Sequence, residues 1–453
     1  MKKGDILTGI VEKVDFPNKG VLKIEGQKIQ VKNVMEGQQV EIRLTKKRKD
    51  RMQGMLLQVL EKSPLETETE VCAHFGQCGG CTYQSMGYEA QLQMKERQVK
   101  ELLDSTGQEY SWDGILGSPV TKGYRNKMEF SFGDEFKDGP LALGLHKRNS
   151  TYDIVDVGQC LIVDEDCNRV LACVREYTKR KELPFYHKMR HEGYLRHLVV
   201  RRSIKTGDLL INLVTTSAIR HDFSELVEEM KALKLDGKLV GILHTVNDSL
   251  SDVVQCDSME ILYGVDWLYE YLFGLKFKIS PFSFFQTNTL GAEVLYEKAR
   301  EYVGETKDKV IFDLYSGTGT IAQILAPIAK KVVGVEIVEE AVEAAKENAG
   351  INGLDNCEFI AGDVLKVIDG LEEKPDIIVV DPPREGIHPK ALGKIAAFGV
   401  KEIVYISCKP TSLVRDLGEF REYGYEMVRA AAIDQFPGSV HVESVVLMSR
   451  VEK

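Results

Sequence analysis

The stretch Val310-Ile311-Phe312-Asp313-Leu314-Tyr315-Ser316-Gly317-Thr318-Gly319-Thr320 decides the fold of the C-terminal part of the chain. Its apolar start predicts a buried strand, its glycines a tight turn, and Ile321 to Lys330 a helix. The alternation then repeats. Val332 to Glu336 predicts a strand, followed by a helix through Asn348, and Phe359 to Asp363, Ile377 to Asp381 and Ile403 to Ile406 predict further strands. Strands alternating with helices predict a mostly parallel, doubly wound sheet beginning near residue 276.

In such a sheet ligands bind beyond the carboxyl ends of the strands. Asp313, the glycine turn, Glu336, Asp363, Asp381 and Cys408 all fall at or just past those ends. Glycines let the backbone approach a ligand, and a carboxylate in the position of Glu336 suits the two hydroxyls of a ribose. Gly317-Thr318-Gly319-Thr320-Ile321-Ala322 matches a dinucleotide fingerprint, so an NAD-dependent oxidoreductase competes as a reading. Against it stand Asp313 before the turn and Asp381-Pro382-Pro383-Arg384 after the fourth strand. Acids there suit the sulfonium or ammonium of S-adenosylmethionine better than a pyrophosphate.

Val404-Tyr405-Ile406-Ser407-Cys408-Lys409-Pro410 reads as a short strand and the turn that ends it. A cysteine fixed at a strand end beside a lysine has the setting of a nucleophile, because a nearby cation favours the thiolate. A buried core cysteine is the bland alternative. Two further segments belong with it. Ser280 to Asn288 enters the sheet region with Gln286 after an aromatic run, and Gln435 to Glu443 brings a turn into a final strand, where Glu443 is a candidate base.

Toward the N-terminus, residues 1–60 hold five alternating runs: Ile6 to Val14, Gly20 to Ile24, Gln27 to Val31, Gln39 to Leu44 and Met52 to Leu60. They predict a small closed barrel of the oligonucleotide-binding type, with Lys46-Lys47-Arg48-Lys49 in its last loop. Ser63 to Glu70 reads as a linker. Cys72, Cys78 and Cys81 then cluster among glycines, and Cys160 is the best fourth ligand for an iron–sulfur cluster or a zinc, between which spacing alone does not choose. Cys167 and Cys173 follow a helical pattern and predict core. His187 and His191 have the spacing of one helical turn, with no third ligand evident. Residues 87–104 predict an amphipathic helix. The region from 120 to 275 is strand-rich, and Tyr124-Arg125-Asn126-Lys127 and Gly193 to Arg202 interleave aromatics with cations, as base stacking and phosphate contact would use. The same residues could instead face solvent on an antiparallel sheet. The division expected is therefore 1–60, a β-rich central part at 61–275, and 276–453.

A chain of 453 residues is too long for one ordinary core. No apolar run is long enough to span a bilayer, and Met1-Lys2-Lys3-Gly4-Asp5 does not open a signal peptide, so the expected location is cytoplasmic, with no membrane partner. There the nine cysteines are expected reduced, metal-bound or catalytic. The net charge of −10 is unpromising for a nucleic-acid binder, but its distribution is uneven: residues 1–62 hold 14 Lys+Arg against 8 Asp+Glu, and the remainder 45 against 61. A basic N-terminal end can attract phosphates locally, because charge is screened within roughly 8 Å.

On these motifs nearly the whole chain resembles the RNA uracil-5-methyltransferases that use S-adenosylmethionine. It is similar to the branch acting on 23S ribosomal RNA, which carries an N-terminal TRAM domain and a four-cysteine iron–sulfur site. The resemblance implies a TRAM barrel at 1–60, a central iron–sulfur domain at 61–275, and a Rossmann-like methyltransferase domain at 276–453, against which the helix at 87–104 packs. It implies that Cys408 is the nucleophile and Glu443 the proton acceptor, and that Gln286, Tyr315, Glu336 and Asp381 bind S-adenosylmethionine. It also implies that Cys72, Cys78, Cys81 and Cys160 hold a 4Fe-4S cluster rather than zinc. The expected partner is RNA, with no protein partner. Transfer RNA is the alternative substrate, and a non-catalytic RNA-binding scaffold the alternative class.

Overall fold

The computed structural model describes residues 1–48, 51–371 and 373–451, which fall into two compact units. One comprises 1–71, 81–118 and 382–453; the other comprises 72–80 and 119–381. No helix among the described residues is long and apolar enough to cross a membrane.

In the first unit, strands β1 (Ile6–Asp15), β2 (Lys19–Ile24), β3 (Gln27–Val31), β4 (Gln39–Arg48) and β5 (Arg51–Glu61) close a barrel in the order β1-β2-β3-β5-β4. The alternation read from the sequence fills it, with Val11, Leu22, Ile29, Val40 and Ile42 at 1% exposure or less. The basic run departs from expectation. Lys46 pairs with Gln53 and Lys47 with Met52, so Lys46, Lys47 and Arg48 continue β4 beside β5 rather than ending it in a loop. Polar side chains do not stop a strand whose backbone is paired. Lys49 lies outside the described residues. Helix α1 (Tyr88–Asp104) follows, then β6 (Ser111–Leu116). Gln98 of α1 donates to the Val14 carbonyl at 2.8 Å, tying the helix to the barrel.

The second unit holds a seven-stranded sheet from β7 (Lys127–Gly133), β8 (Ala142–His146), β9 (Ile154–Asp156), β10 (Leu195–Arg202), β11 (Asp208–Thr215), β12 (Lys238–Val246) and β13 (Ser258–Gly264), in the order β13-β12-β11-β10-β7-β8-β9. Helices α2 (Glu165–Arg180) and α3 (Ser224–Lys231) accompany it, with Cys167 of α2 buried as expected. The aromatic and basic residues expected to offer a stacking surface are largely inside: Tyr124, Tyr194, Arg196 and Arg201 are each at most 3% exposed. Their cations are held by carbonyls, as Arg196 is by those of Asn247, Ser249 and Ser251. His187 and His191 are not on a helix. They frame a turn in which His187 Nδ1 accepts from the Met189 and Arg190 amides, and His191 has φ +55°.

The hairpin β14 (Leu268–Leu272) and β15 (Leu275–Ile279) leads to α4 (Thr289–Val303). The alternating region then begins: β16 (Val310–Leu314), α5 (Thr320–Leu325), β17 (Lys331–Glu336), α6 (Glu339–Ile351), β18 (Cys357–Ala361), α7 (Val364–Val367) and β19 (Ile377–Val380). These strands are parallel, in the order β18-β17-β16-β19. Helix α5 is shorter than expected because Pro327 cannot supply an amide to continue it.

The chain returns to the first unit with α8 (Pro389–Ala397), β20 (Glu402–Ser407), α9 (Pro410–Glu422), β21 (Tyr425–Ile433) and β22 (Glu443–Arg450). Here β22 runs antiparallel to both β20 and β21, and β6 joins β21 in parallel. Strand β22 is thus the antiparallel exception, since β20, β21 and β6 share one direction, and the reversal arises because the 434–442 connection is a hairpin with no crossover helix.

Candidate active site

The predicted ligand-binding residues lie in the second unit: Tyr315, Glu336 and Asp381 at the carboxyl ends of β16, β17 and β19, and Gln286 in the segment before α4. Tyr315 leaves β16 at φ +67°, an uncommon conformation for a non-glycine residue. Gly317 and Gly319 follow at +53° and +72°. Their roles differ. A Cβ on Gly319 would lie 2.5 Å from the Phe359 ring and 2.8 Å from Ala345, so this glycine permits close packing. A Cβ on Gly317 would meet nothing nearer than Phe284 at 3.9 Å, so this one leaves open space. Glu336 ends β17 and holds the turn, accepting from the Gly317 amide at 2.9 Å and the Val338 amide at 3.0 Å.

Asp313 is fully buried. Its Oδ2 accepts from the Ala322 amide at 2.9 Å, and its Oδ1 has no hydrogen-bond partner among the described residues. Burial first, then the charge of Asp381, pushes the Asp313 carboxyl up to about 8. Burial pushes Asp381 up to about 7. Buried Asp313 and half-buried Asp381 fit a cationic ligand, which would stabilise their charged forms.

Gln286 lies on a segment that two residues pin from the central sheet. Asn126 Nδ2 donates to the Gln286 carbonyl and to Thr289 Oγ1, each at 2.9 Å. Arg201 of β10 donates through Nε to the Pro281 carbonyl at 3.1 Å and through Nη2 to the Ser283 carbonyl. The aromatic run splits: Phe285 is buried, whereas Phe284 is 67% exposed near Gly317, with its carbonyl accepting from Thr318 Oγ1 at 3.1 Å. Sequence reasoning missed Arg201 as a support, since nothing local distinguishes it from a surface cation.

The predicted nucleophile and base lie in the first unit. Cys408 occupies the step between Ser407, which ends β20, and Lys409, which precedes Pro410 at the first position of α9. Amides at a helix N-terminus favour an anionic sulfur nearby. Ser407 pairs with Ser444 as the last pair across β20 and β22, so Cys408 is the next residue on one strand and Glu443 the preceding residue on the other. Glu443 is 4% exposed. Helix α9 also fixes the chain after Asp381. Ser412 Oγ donates to the Arg384 carbonyl at 2.7 Å, and Asp416 Oδ2 accepts from the Ile387 amide and the Tyr405 hydroxyl at 2.8 and 2.7 Å. One helix therefore supports both the nucleophile's turn and the segment that starts at Pro382.

Of the predicted metal ligands, Cys72, Cys78 and Cys160 are in the second unit, and Cys81 follows Cys78 by three residues at the next boundary. Cys72 Sγ lies 3.5 Å from the Gln159 carbonyl, and Cys78 Sγ accepts from the Gly80 amide at 3.3 Å. Burial pushes the Cys160 thiol up to about 11, with further contributions from Cys72 and Cys78, so the three sulfurs are within electrostatic reach. Among the described residues no three His, Cys, Asp or Glu side chains form a group that could hold a single metal ion.

A parallel sheet with a glycine turn and acids at its strand ends defines an α/β fold with the setting for a ligand beyond those ends. The comparisons narrow this. Residues 87–451 match the tRNA (Uracil-5-)-methyltransferase family. An RNA methyltransferase of Caldanaerobacter subterraneus subsp. tengcongensis is 51% identical over 451 residues, covering 99% of this chain and all of that protein. A second, from Bacillus cereus, is 35% identical over 458 residues, covering this whole chain and 98% of that one. The crystal structure of Pyrococcus abyssi tRNA (uracil-54, C5)-methyltransferase with S-adenosyl-L-homocysteine superposes with a TM-score of 0.76 at 28% identity, covering 98% of this chain and all of that one. The chain belongs to the tRNA (uracil-5-)-methyltransferase family and is an S-adenosylmethionine-dependent RNA (uracil-5-)-methyltransferase. Its architecture is a Rossmann-like S-adenosylmethionine domain with a β-rich N-terminal part that includes the barrel.

Proposed function

We propose that the protein methylates C5 of specific uridines in 23S ribosomal RNA through a covalent adduct between Cys408 and C6 of the base. The covalent reading is carried by the end of one strand pair, where Cys408 follows Ser407 and Glu443 precedes its partner Ser444. C5 of uracil is a poor carbon nucleophile. Addition of the Cys408 thiolate to C6 makes C5 an enolate carbon, which takes the electrophilic methyl that S-adenosylmethionine supplies. Glu443 removes the C5 proton, the C5–C6 double bond re-forms, and the Cys408 sulfur leaves. One hard step becomes several easier ones. Gln286, Tyr315, Glu336 and Asp381 are the residues proposed to hold the methyl donor. The open space at Gly317, buried Asp313 and half-buried Asp381 support that assignment. The base must be unstacked from its RNA before the cysteine can reach it.

The domain reading that goes with this is a TRAM barrel at 1–60, a central iron–sulfur domain at 61–275 and the methyltransferase domain at 276–453, in a cytoplasmic protein. Cys72, Cys78, Cys81 and Cys160 are proposed to hold a 4Fe-4S cluster. In such a cluster each thiolate binds a separate iron, so the sulfurs need not converge on one point as they would around zinc. The electrostatic reach among Cys72, Cys78 and Cys160 supports the grouping.

Preference for ribosomal RNA rests on the family resemblance and on the basic barrel. Transfer RNA is the second reading, favoured by the likeness to a Pyrococcus abyssi tRNA methyltransferase over nearly the whole chain. Mass mapping of 5-methyluridine in both RNA classes, from cells with and without the protein, decides between them. Loss confined to 23S RNA is expected. Loss confined to transfer RNA replaces the proposal with the second reading, and no loss in either class counts against both.

A further inference from the structure

The hairpin loop that leads into Glu443 takes three directed side-chain contacts from helix α1. Lys95 of α1, 1% exposed, places Nζ 2.6 Å from Oδ1 of fully buried Asp434 and 3.2 Å from the Phe436 carbonyl. One helical turn earlier, Gln91 accepts the Gly438 amide at 2.8 Å. Its other amide atom donates to the Met86 carbonyl at 2.8 Å, which fixes the orientation of the group. The Gly438 carbonyl in turn accepts from the Thr82 and Tyr83 amides, both at 2.8 Å. The loop closes where Ile433 pairs with Glu443.

We propose that Lys95 and Gln91 are positioning residues for the proton-removal step: they fix residues 434–438 and through them the placement of Glu443. The inference rests on the covalent reading given above. Packing alone does not explain the arrangement. Taking a lysine and an aspartate out of water offsets much of their attraction, and an apolar pair of similar volume would hold α1 as well. An apolar pair, however, has no direction. Here three directed contacts from α1 converge on one loop, at residues 434, 436 and 438. Direction matters because a base must reach the C5 hydrogen within hydrogen-bond distance, and a displacement of about 1 Å can cost on the order of a hundredfold in rate. Addition of Cys408 and methyl transfer come before that step and do not use Glu443. Loosening the loop should therefore slow only the end of the cycle.

The test uses the full chain, S-adenosylmethionine and RNA substrates carrying uridine or 5-fluorouridine. The fluorinated base cannot lose fluorine as a cation, so it counts enzyme competent in addition and methyl transfer. Two variants are compared with the unaltered protein: Gln91→Met, which leaves both charges in place, and Lys95→Met combined with Asp434→Leu, which avoids stranding one buried charge. Each is expected to trap 5-fluorouridine RNA within about twofold of the unaltered protein. Each should turn over uridine RNA at least about tenfold more slowly, while denaturation-resistant methylated RNA–protein adduct accumulates. Equal losses of trapping and turnover would mean a merely structural role and would overturn the proposal, as would unchanged turnover in the apolar pair variant. If the unaltered protein traps no 5-fluorouridine RNA, the covalent reading itself fails, and this inference fails with it.

Discussion

Ser407 of β20 stands opposite Ser444 of β22 as the last pair of their ladder, with Cys408 the residue after the first and Glu443 the residue before the second. The two residues proposed for the chemistry thus sit at the end of one strand pair, and a slip of a single residue there would turn one side chain to the other face. Cys408→Ala should make no product and form no adduct. Glu443→Gln should still add and still transfer the methyl, then stall, leaving methylated RNA attached to the protein as a band of raised mass on a denaturing gel. Normal turnover in Glu443→Gln would give the proton to another acceptor.

The two glycines of the turn should respond differently to alanine. Gly319→Ala brings a methyl within 2.5 Å of Phe359 in a left-handed backbone and should destabilise the protein by about 1–3 kcal/mol. Gly317→Ala meets open space and should cost about 1 kcal/mol from its backbone conformation alone. Its methyl occupies the volume assigned to the methyl donor, so affinity for S-adenosylhomocysteine should fall more than stability does. Thermal melting and calorimetric titration of both variants check the contrast.

The acids beside that turn make stability depend on pH in a defined direction. Asp313 and Asp381 are raised to about 8 and about 7 in the folded protein, against roughly 4 in an unfolded chain. Between those limits the folded state binds more protons than the unfolded state, so their contribution to stability falls as pH rises through 7 and 8. They interact and should titrate as a pair. The melting temperature of the ligand-free protein should drop across this range, by less in Asp313→Asn. Binding of a cationic donor favours the charged acids and should release protons, which calorimetry in buffers of different ionisation enthalpy measures. A flat melting profile from pH 6 to 9 would remove both acids from this role.

Much of this was legible in the sequence where a period repeats. The barrel strands were readable because alternation is punctuated by glycine and asparagine, and the β16 to β20 region because strand and helix alternate. Failures came where partners are distant. Lys46 and Lys47 look like loop residues until β5 is set beside them. His187 and His191 have helical spacing but lie in a turn. The β6 strand carries Gly114 at φ +85° and shows little alternation, and it pairs with residues more than 300 positions later. Arg201 reads as part of a stretch suited to stacking bases and contacting phosphates or to facing solvent, and nothing in the sequence distinguishes Lys95, because their burial is set by the carbonyls of Pro281 and Ser283 in one case and by Asp434 in the other.

The cysteine centre should be separable from the chemistry. Protein prepared without oxygen is expected to contain iron and inorganic sulfide, and Cys72→Ser or Cys160→Ser should lose both together with thermal stability, since a bound centre stabilises the fold that presents its ligands. Zinc at one per chain, with no sulfide, would refute the cluster.

Arg201 supplies the sharpest separation between support and contact. Its guanidinium, 3% exposed, donates to the carbonyls of Pro281 and Ser283, and burial pulls it down to about 10. Glu129 contributes a favourable charge, so the cation is not isolated. Arg201→Met would remove the donors and leave those carbonyls buried without them, a cost of about 1–3 kcal/mol for each unsatisfied group. The segment they anchor carries Phe284 and Gln286 toward the glycine turn, where Thr318 already holds the Phe284 carbonyl. Loss of the anchor should therefore weaken S-adenosylhomocysteine binding by tenfold or so, about 1.4 kcal/mol. Arg201→Lys retains the charge but cannot span both carbonyls with a planar fork, and should recover stability more fully than affinity. If Arg201→Met melts lower yet binds S-adenosylhomocysteine as the unaltered protein does, the segment 281–286 does not shape the donor site, and Gln286 loses its proposed role there.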